Sequence, residues 1–167
     1  VGTVPGLSIL ENLSVAANKG RPYGLKFAVP KKKNDRLYSA VAELGLGLED
    51  KMDIPVGLLS GGQRQAIALL MATMTPISFL ILDEHTAALD PKTAEIIMKL
   101  TDRIVREKSL TAIMVTHNLR YAVEYGNRML MLHHGDIVLE RKAAAKTETT
   151  VDDILSVFNE ISIECGN

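Results

Sequence analysis

Two acidic side chains, Asp83 and Glu84, directly follow a short apolar run, Phe79–Leu82. Such a run is typical of a strand buried on both faces of a parallel sheet, and ligands of these sheets bind outside the carboxyl ends of the strands. At that position one acid can hold Mg²⁺ through water, and a second can orient or deprotonate an attacking water. On these residues alone, the pair could equally well end a strand and begin a turn.

A histidine, His117, follows a second apolar run, Ala112–Thr116, and is expected at the same edge of the sheet. Its imidazole could bind a terminal phosphate, although a lone histidine is more often a structural one. Phosphoryl transfer depends on positioning and charge neutralisation, so it needs a metal-holding acid, a water-positioning group and donors for the γ-phosphate. The acidic pair and the histidine together indicate this chemistry more strongly than either does alone.

The stretch Leu59–Gln65 reads LSGGQRQ and predicts the start of a helix suited to an anion. Ser60 can cap this helix, whose first turn carries Gly61, Gly62 and Gln63. The unpaired N–H groups of a helix start, its positive dipole end and the close backbone approach that glycine permits favour phosphate. Ser60 and Gln63 can add charge-assisted hydrogen bonds. A bare Ser-Gly-Gly would more often be an ordinary capped helix.

Residues 1–75 are predicted to form a helical domain with no convincing strand. Ser8 and Glu11 have the spacing of a capping box, which predicts that a helix begins between them. Helices are expected over residues 9–19, from residue 34 to Gly45 and from the residue after Ser60 to Met74, with irregular connections over residues 21–33 and 47–59.

Residues 76–167 are predicted to form an α/β lobe, because strands and helices alternate after Pro76. Asp90 and Pro91 supply the cap and first residue of a helix that reaches about Lys108. Its inward residues are expected to be Ile96, Ile97, Leu100, Ile104 and Val105. The strand before His117 is expected to be buried, and Asn118 to cap a short helix through Tyr125. A hairpin over residues 129–140 and a terminal helix complete the lobe, with Ile154, Leu155, Phe158 and Ile161 on the apolar face of that helix.

Composition excludes several classes of protein. The 167 residues carry a net charge of −1, so no overall field recruits nucleic acid, and Lys31–Lys33 is interpreted as a solvated loop. The single cysteine, Cys165, cannot form an internal disulfide. No apolar stretch is long enough to span a bilayer, which predicts a cytoplasmic location.

In this order and spacing, the motifs resemble those of the ATP-binding cassette (ABC) ATPases. LSGGQRQ is similar to the signature loop of that family, and Phe79–Glu84 is similar to its Walker B strand with the catalytic glutamate. Ala88–Asp90 resembles the D-loop, and Val115–His117 resembles the switch histidine. The resemblance implies a P-loop NTPase-like ABC ATPase core, with a helical signature subdomain that couples to a membrane partner.

The resemblance also implies a role for each site residue. Asp83 would bind Mg²⁺, Glu84 would be the general base or water-orienting residue, and His117 would sense the γ-phosphate. The loop formed by Ser60, Gly61, Gly62 and Gln63 would contact ATP held by the opposite cassette of a dimer. Asp90 would lie at the interface between the two cassettes. ATP and Mg²⁺ are therefore the expected cofactors.

Two departures from the family pattern are visible. His85 stands where the family usually has proline, which is expected to alter the turn and leave both acids in place. The Gly-x-x-x-x-Gly-Lys-Ser/Thr loop that cradles phosphates is not found in the 167 residues. The chain therefore resembles the C-terminal two-thirds of a cassette, and we expect it to bind ATP very weakly by itself.

The resemblance implies the ATP-hydrolysing subunit of a bacterial-type ABC transporter, peripheral to the inner face of the cell membrane. Its expected partners are a second cassette, a separate transmembrane permease and a solute-binding protein. The sequences of the segments Glu84–Ala88 and Tyr125–Arg128 resemble those of cassettes of amino-acid importers. Two alternatives stay open: a non-catalytic module that completes a partner's ATP site, and a soluble ABC ATPase acting on nucleic acid or ribosomes.

Overall fold

The structure, a computed structural model, describes residues 2–20 and 35–164. The connection predicted over residues 21–33, the lysine run and Cys165 lie outside the described residues. The chain forms two compact units, residues 1–113 and 114–167. The domain division at Pro76 stays a prediction.

The first unit is helical up to β1, within residues 2–20 and 35–78. Its α-helices and strands are α1 (Ile9–Ala17), α2 (Asp35–Ala42), α3 (Gly61–Thr73), β1 (Phe79–Asp83), α4 (Pro91–Glu107) and the first part of β2 (Thr111–Val115), with short 3₁₀ helices at Glu49–Lys51 and Val56–Leu58. The capping box predicted at α1 is confirmed, because the Glu11 N–H donates to Ser8 Oγ at 3.2 Å and the Ser8 N–H donates to Glu11 Oε2 at 2.7 Å.

Helix α3 is central to the first unit, packing against α1, α2 and α4. Its inward residues include Ile67 and Leu70, which are buried together with Ile97 of α4. At the far ends of the two helices, Lys108 Nζ donates to the Thr73 carbonyl at 2.6 Å. A cation at the last carbonyls of a helix is favourable because it complements the helix dipole. This contact fixes α4 beside α3.

Strand β1 is buried on one face only, so the prediction of burial on both faces was wrong. Leu80 and Leu82 are 6% and 8% exposed, whereas Phe79 and Ile81 are 47% and 65% exposed. Successive side chains of a strand point to opposite faces, and only the leucine face packs against the described part of the first unit. Strand β2, which pairs with β1, was also predicted to be buried and is mostly exposed.

Helix α4 confirms the predicted cap and length. Ile97, Leu100 and Ile104 are buried as expected, but Ile96 is 43% exposed and was wrongly predicted to face inward. The buried stripe runs through Ala94, Ile97 and Thr101 at intervals of three and four, which leaves position 96 to one side.

The second unit contains the hairpin and the final helices. After the remainder of β2 it consists of α5 (Leu119–Glu124), β3 (Arg128–His133), β4 (Asp136–Lys142), α6 (Ala143–Glu148) and α7 (Val151–Glu164). The hairpin is confirmed: His133 pairs with Asp136, and the two turn residues, His134 and Gly135, have φ 48° and 92°. Two positive φ values are the mark of a type I′ turn, whose twist matches that of the strands.

The core of this unit is formed by Met129, Leu139 and Ile154. The predicted helix is present as α7, and of its apolar residues Ile154 is buried whereas Leu155 and Phe158 are 41% and 54% exposed. Helix α6 was not predicted. Among the described helices, none has the length and apolar character needed to cross a membrane.

Candidate functional site

The signature loop opens α3 with a reciprocal capping box. Ser60 Oγ accepts a hydrogen bond from the Gln63 N–H at 3.3 Å, and Gln63 Oε1 accepts one from the Ser60 N–H at 3.1 Å. The predicted cap is confirmed, but the return bond from Gln63 was missed, although the Ser-x-x-Gln spacing signals it. The N–H groups of Gly61 and Gly62 have no acceptor within the helix, so they are the donors available to an anion.

The two glycines are needed because the start of α3 lies against the start of α4. A Cβ atom on buried Gly62 would stand 2.1 Å from Thr93 Cγ2, and one on Gly61 would stand 3.0 Å from Leu89 Cδ2. Neither glycine has a positive φ, so space and not backbone conformation requires glycine, most strictly at Gly62. The amino ends of the two helices therefore lie side by side.

Asp90 is the N-cap residue of α4. Its Oδ1 accepts a hydrogen bond from the Thr93 N–H at 3.0 Å. Hydrogen bonds from the Thr93 side chain and then from its backbone N–H lower the pKa of the Asp90 carboxyl, which is exposed. The carboxylate thus holds the D-loop onto α4, and its position at a dimer interface stays a prediction.

A cleft of about 480 Å³ in the first unit joins the signature helix to the end of β1. Gly61 and the predicted acids Asp83 and Glu84 are all among the residues that line it. Both acids are exposed at the end of the strand. The structure therefore brings Gly61, Asp83 and Glu84 together at one cleft, while Ser60, Gly62, Gln63 and Asp90 lie outside its lining.

Arg64 and Gln65 also line this cleft and were missed by the sequence reasoning. Arg64 Nη1 donates to the Leu59 carbonyl at 2.8 Å, which ties the guanidinium to the residue before Ser60. Both residues lie three or four positions after Gly61, and this spacing places them on the same helix face. Helical spacing from Gly61 could therefore have identified them.

Asp83 and Glu84 suit Mg²⁺ better than they suit a metal ion whose ligands are all protein side chains. Within residues 2–20 and 35–164, no group of three or more His, Cys, Asp or Glu side chains could hold a metal ion. Mg²⁺ needs no such group, because it is usually bound by one or two carboxylates while waters and substrate phosphates complete its octahedron. The exposed Asp83 carboxylate at the strand end fits that donor set.

His117 lies in the second unit, two residues beyond the end of β2, and is exposed. The turn around it is well defined by hydrogen bonds. The Asn118 N–H donates to Thr116 Oγ1 at 3.0 Å, and Asn118 Oδ1 accepts from the Tyr121 N–H at 3.3 Å, which caps α5. The sequence correctly placed His117 between strand and helix, and its role as a phosphate sensor stays a prediction.

Comparisons with known proteins add independent information. The family model described as ABC transporter matches residues 1–87. The tyrosine transport ATP-binding protein of Clostridioides difficile (strain R20291) is 48% identical over 158 residues, covering 95% of this chain and 62% of that protein. A methionine import ATP-binding protein of Bacillus cereus is 35% identical over 144 residues, covering 83% of this chain and 42% of that protein.

A solved structure is also similar. The dimeric structure of an ATP-binding cassette in a post-hydrolysis state, bound to ADP and Pi, superposes with a TM-score of 0.66 at 29% identity. The superposition covers 84% of this chain and 59% of that one. Across these three proteins, the chain spans 42% to 62% of the length of its relatives.

Proposed function

The chain belongs to the ABC transporter family, and we propose that it is part of the ATP-hydrolysing subunit of a bacterial-type ABC transporter. Its fold is that of the ABC ATPase cassettes. The observation that carries the proposal is the pair of exposed acids, Asp83 and Glu84, that line the cleft at the end of β1. An acid for a metal and an acid for a water are groups that phosphoryl transfer needs.

Asp83 is the proposed ligand of Mg²⁺. When bound, this ion would neutralise negative charge on the phosphates. Glu84, the next residue, orients the attacking water and accepts its proton. Both carboxylates are exposed, so solvent can reach them. His117 donates a hydrogen bond from its imidazole to the γ-phosphate in this proposal.

The signature loop acts on the ATP of a second cassette. The Gly61 N–H has no acceptor within its own helix, and the exposed Ser60 lies next to it, so this helix start can offer a donor to a phosphate on another molecule. Asp90 lies in the same region through its contact with Thr93. The dimeric arrangement of the solved cassette supports this pairing.

Transport of an amino acid is the proposed role of the whole assembly. The relatives named for tyrosine transport and methionine import support amino-acid import, and tyrosine is the first substrate to test. The partners would be a transmembrane permease and a solute-binding protein, with the cassettes peripheral to the inner face of the membrane. Deleting the gene in its native host should reduce uptake of radiolabelled tyrosine, and unchanged uptake of tyrosine would contradict that substrate.

The decisive variant for hydrolysis is Glu84→Gln in the natural gene product. A general base contributes about 100-fold or more to a rate, so kcat for MgATP should fall by at least that factor. ATP affinity should change little, because the amide keeps the size of the side chain. The measurement is phosphate release, with bound nucleotide measured by fluorescence.

Glu107→Gln is the matched control, because Glu107 is exposed at the end of α4 and does not line the cleft. It should keep the wild-type kcat. Wild-type turnover by Glu84→Gln would remove Glu84 from the mechanism, and a wild-type protein without ATP hydrolysis would refute the proposed function.

A further inference from the structure

We propose that His85 is a positioning residue for Glu84, acting through a hydrogen bond to Thr101 on α4; this inference rests on the proposed ATPase function. The two residues share a peptide bond and both line the cleft. A displacement of the His85 backbone is therefore passed directly to the proposed general base.

Glu84 needs such support because its backbone has φ 41°. This is the left-handed region, which side-chain-bearing residues adopt at an energetic cost and keep only when the surrounding structure holds them there. Within the loop, the Ala87 N–H donates to the Glu84 carbonyl at 3.0 Å and the Leu89 N–H donates to the Thr86 carbonyl at 3.1 Å. These bonds shape the loop but do not attach it to a rigid element.

Helix α4 provides the attachment at two points. At the far end of the loop, Asp90 caps the helix through the Thr93 N–H. At the near end, His85 Nε2 lies 3.2 Å from Thr101 Oγ1, and Thr101 is only 4% exposed. The loop is therefore held at both ends by the same long helix, and His85 is the anchor next to Glu84.

The direction of the His85 bond follows from the bonds that Thr101 makes. The Thr101 hydroxyl has one proton, which it donates to the Ile97 carbonyl at 2.8 Å. It therefore accepts from His85, so we assign a proton to Nε2.

The test uses kcat and KM for MgATP in the natural gene product. His85→Phe keeps a ring but loses the N–H donor, and we expect kcat to fall about fivefold or more, the factor that corresponds to one lost hydrogen bond. KM for ATP should stay within about twofold of the wild-type value, because a group that acts only on the hydrolytic step does not change how tightly ATP binds before that step. His85→Gln places an amide N–H near the position of Nε2 and should restore most of kcat.

Thr101→Val is the second variant, since it removes the acceptor and keeps the shape of the side chain. It should lower kcat as His85→Phe does, and the double variant should be no worse than either, because both remove the same bond. In ¹⁵N-histidine spectra, the His85 signal should show a protonated Nε2, and this signature should change in Thr101→Val.

Each outcome decides a different question. If the wild type hydrolyses ATP and both His85→Phe and Thr101→Val keep its kcat, the positioning role is refuted and the proposed function stands. If kcat falls equally in His85→Phe and His85→Gln while circular dichroism shows folded proteins, the N–H donor is not the reason and the role is refuted. A wild type without hydrolysis refutes both proposals.

Discussion

Replacing Gly62 by alanine tests whether the signature helix starts with glycine because α4 leaves no room for a side chain. The new Cβ would stand 2.1 Å from Thr93 Cγ2. Carbon atoms in favourable contact are about 3.5 to 4.0 Å apart, so the two groups must separate by roughly 1.5 Å. Thr93 is β-branched and its N–H is held by Asp90, so we expect the helices to move and not the methyl group alone.

The expected cost follows from two opposing terms. Overpacking of this kind costs about 1 to 3 kcal/mol. Alanine recovers up to about 1 kcal/mol relative to glycine, because it is the better helix former and its backbone conformation is compatible here. Because an approach of 2.1 Å is a severe overlap, the upper part of the overpacking range applies, and we expect Gly62→Ala to lower the free energy of unfolding by about 1 to 2 kcal/mol and to shift the urea midpoint downward.

Thr93→Ser supplies the matched control, since it removes only Cγ2 and keeps the hydroxyl. After that change the nearest atom to the new Cβ is Thr93 Cβ at 3.6 Å, which is an ordinary contact. The double variant should therefore be about as stable as Thr93→Ser alone. Gly61→Ala should be milder than Gly62→Ala, because its 3.0 Å neighbour is the flexible end of Leu89.

The assay is urea unfolding of the natural gene product, followed by circular dichroism at 222 nm. A Gly62→Ala protein with the wild-type midpoint would show that the helix starts are not in close contact. An unchanged penalty in the double variant would show that Thr93 Cγ2 is not the cause. Either result would refute the steric explanation of this glycine.

The other predictions concern stability. Asn12 is 1% exposed, and its side chain donates to the carbonyls of Val4, Leu7 and Ser8 and accepts from the Val4 N–H. Asn12→Ala removes these partly buried hydrogen bonds, so we expect it to lower the free energy of unfolding in urea by about 2 kcal/mol or more. Asn18→Ala, at an exposed position, should cost less, and equal costs would contradict the role of the Asn12 network. Because folding lowers the pKa of Asp90, its ionised carboxylate stabilises the folded state fully above the ordinary pKa of 3.8. That stabilisation is lost as the pH falls through the pKa that Asp90 has in the folded state. Asp90→Asn keeps the cap, so its urea midpoint should fall less than that of the wild type on acidification below about pH 4, and an identical fall would exclude Asp90 as a source of the acid sensitivity.

The helix starts and the hairpin could be predicted from the sequence because the interactions that form them are short-range. The caps formed by Ser8, Ser60, Asp90 and Asn118 each join a side chain to a residue three positions ahead. The turn at His134 and Gly135 is decided by two residues and the strands beside them. Contacts between residues so close in the chain can be predicted directly from the order of the residues.

Burial was predicted less well, because it depends on which distant surfaces meet. Phe79, Ile81 and Ile96 are as apolar as their buried neighbours, yet they face away from the described core. Leu155 and Phe158 on α7 are likewise exposed although they are apolar. An apolar pattern shows which residues can be buried, but only tertiary packing decides which face is covered.

The candidate site divides in the same way. The sequence by itself determined which residue types could serve phosphoryl transfer, since an acidic pair after a strand and glycines at a capped helix start are local patterns. Only the tertiary structure decided that Gly62 meets Thr93, that His85 hydrogen-bonds Thr101, and that Arg64 lines the cleft with the acids. These contacts join residues brought together by the packing of α3, β1 and α4, and no local spacing encodes the distance between separate elements.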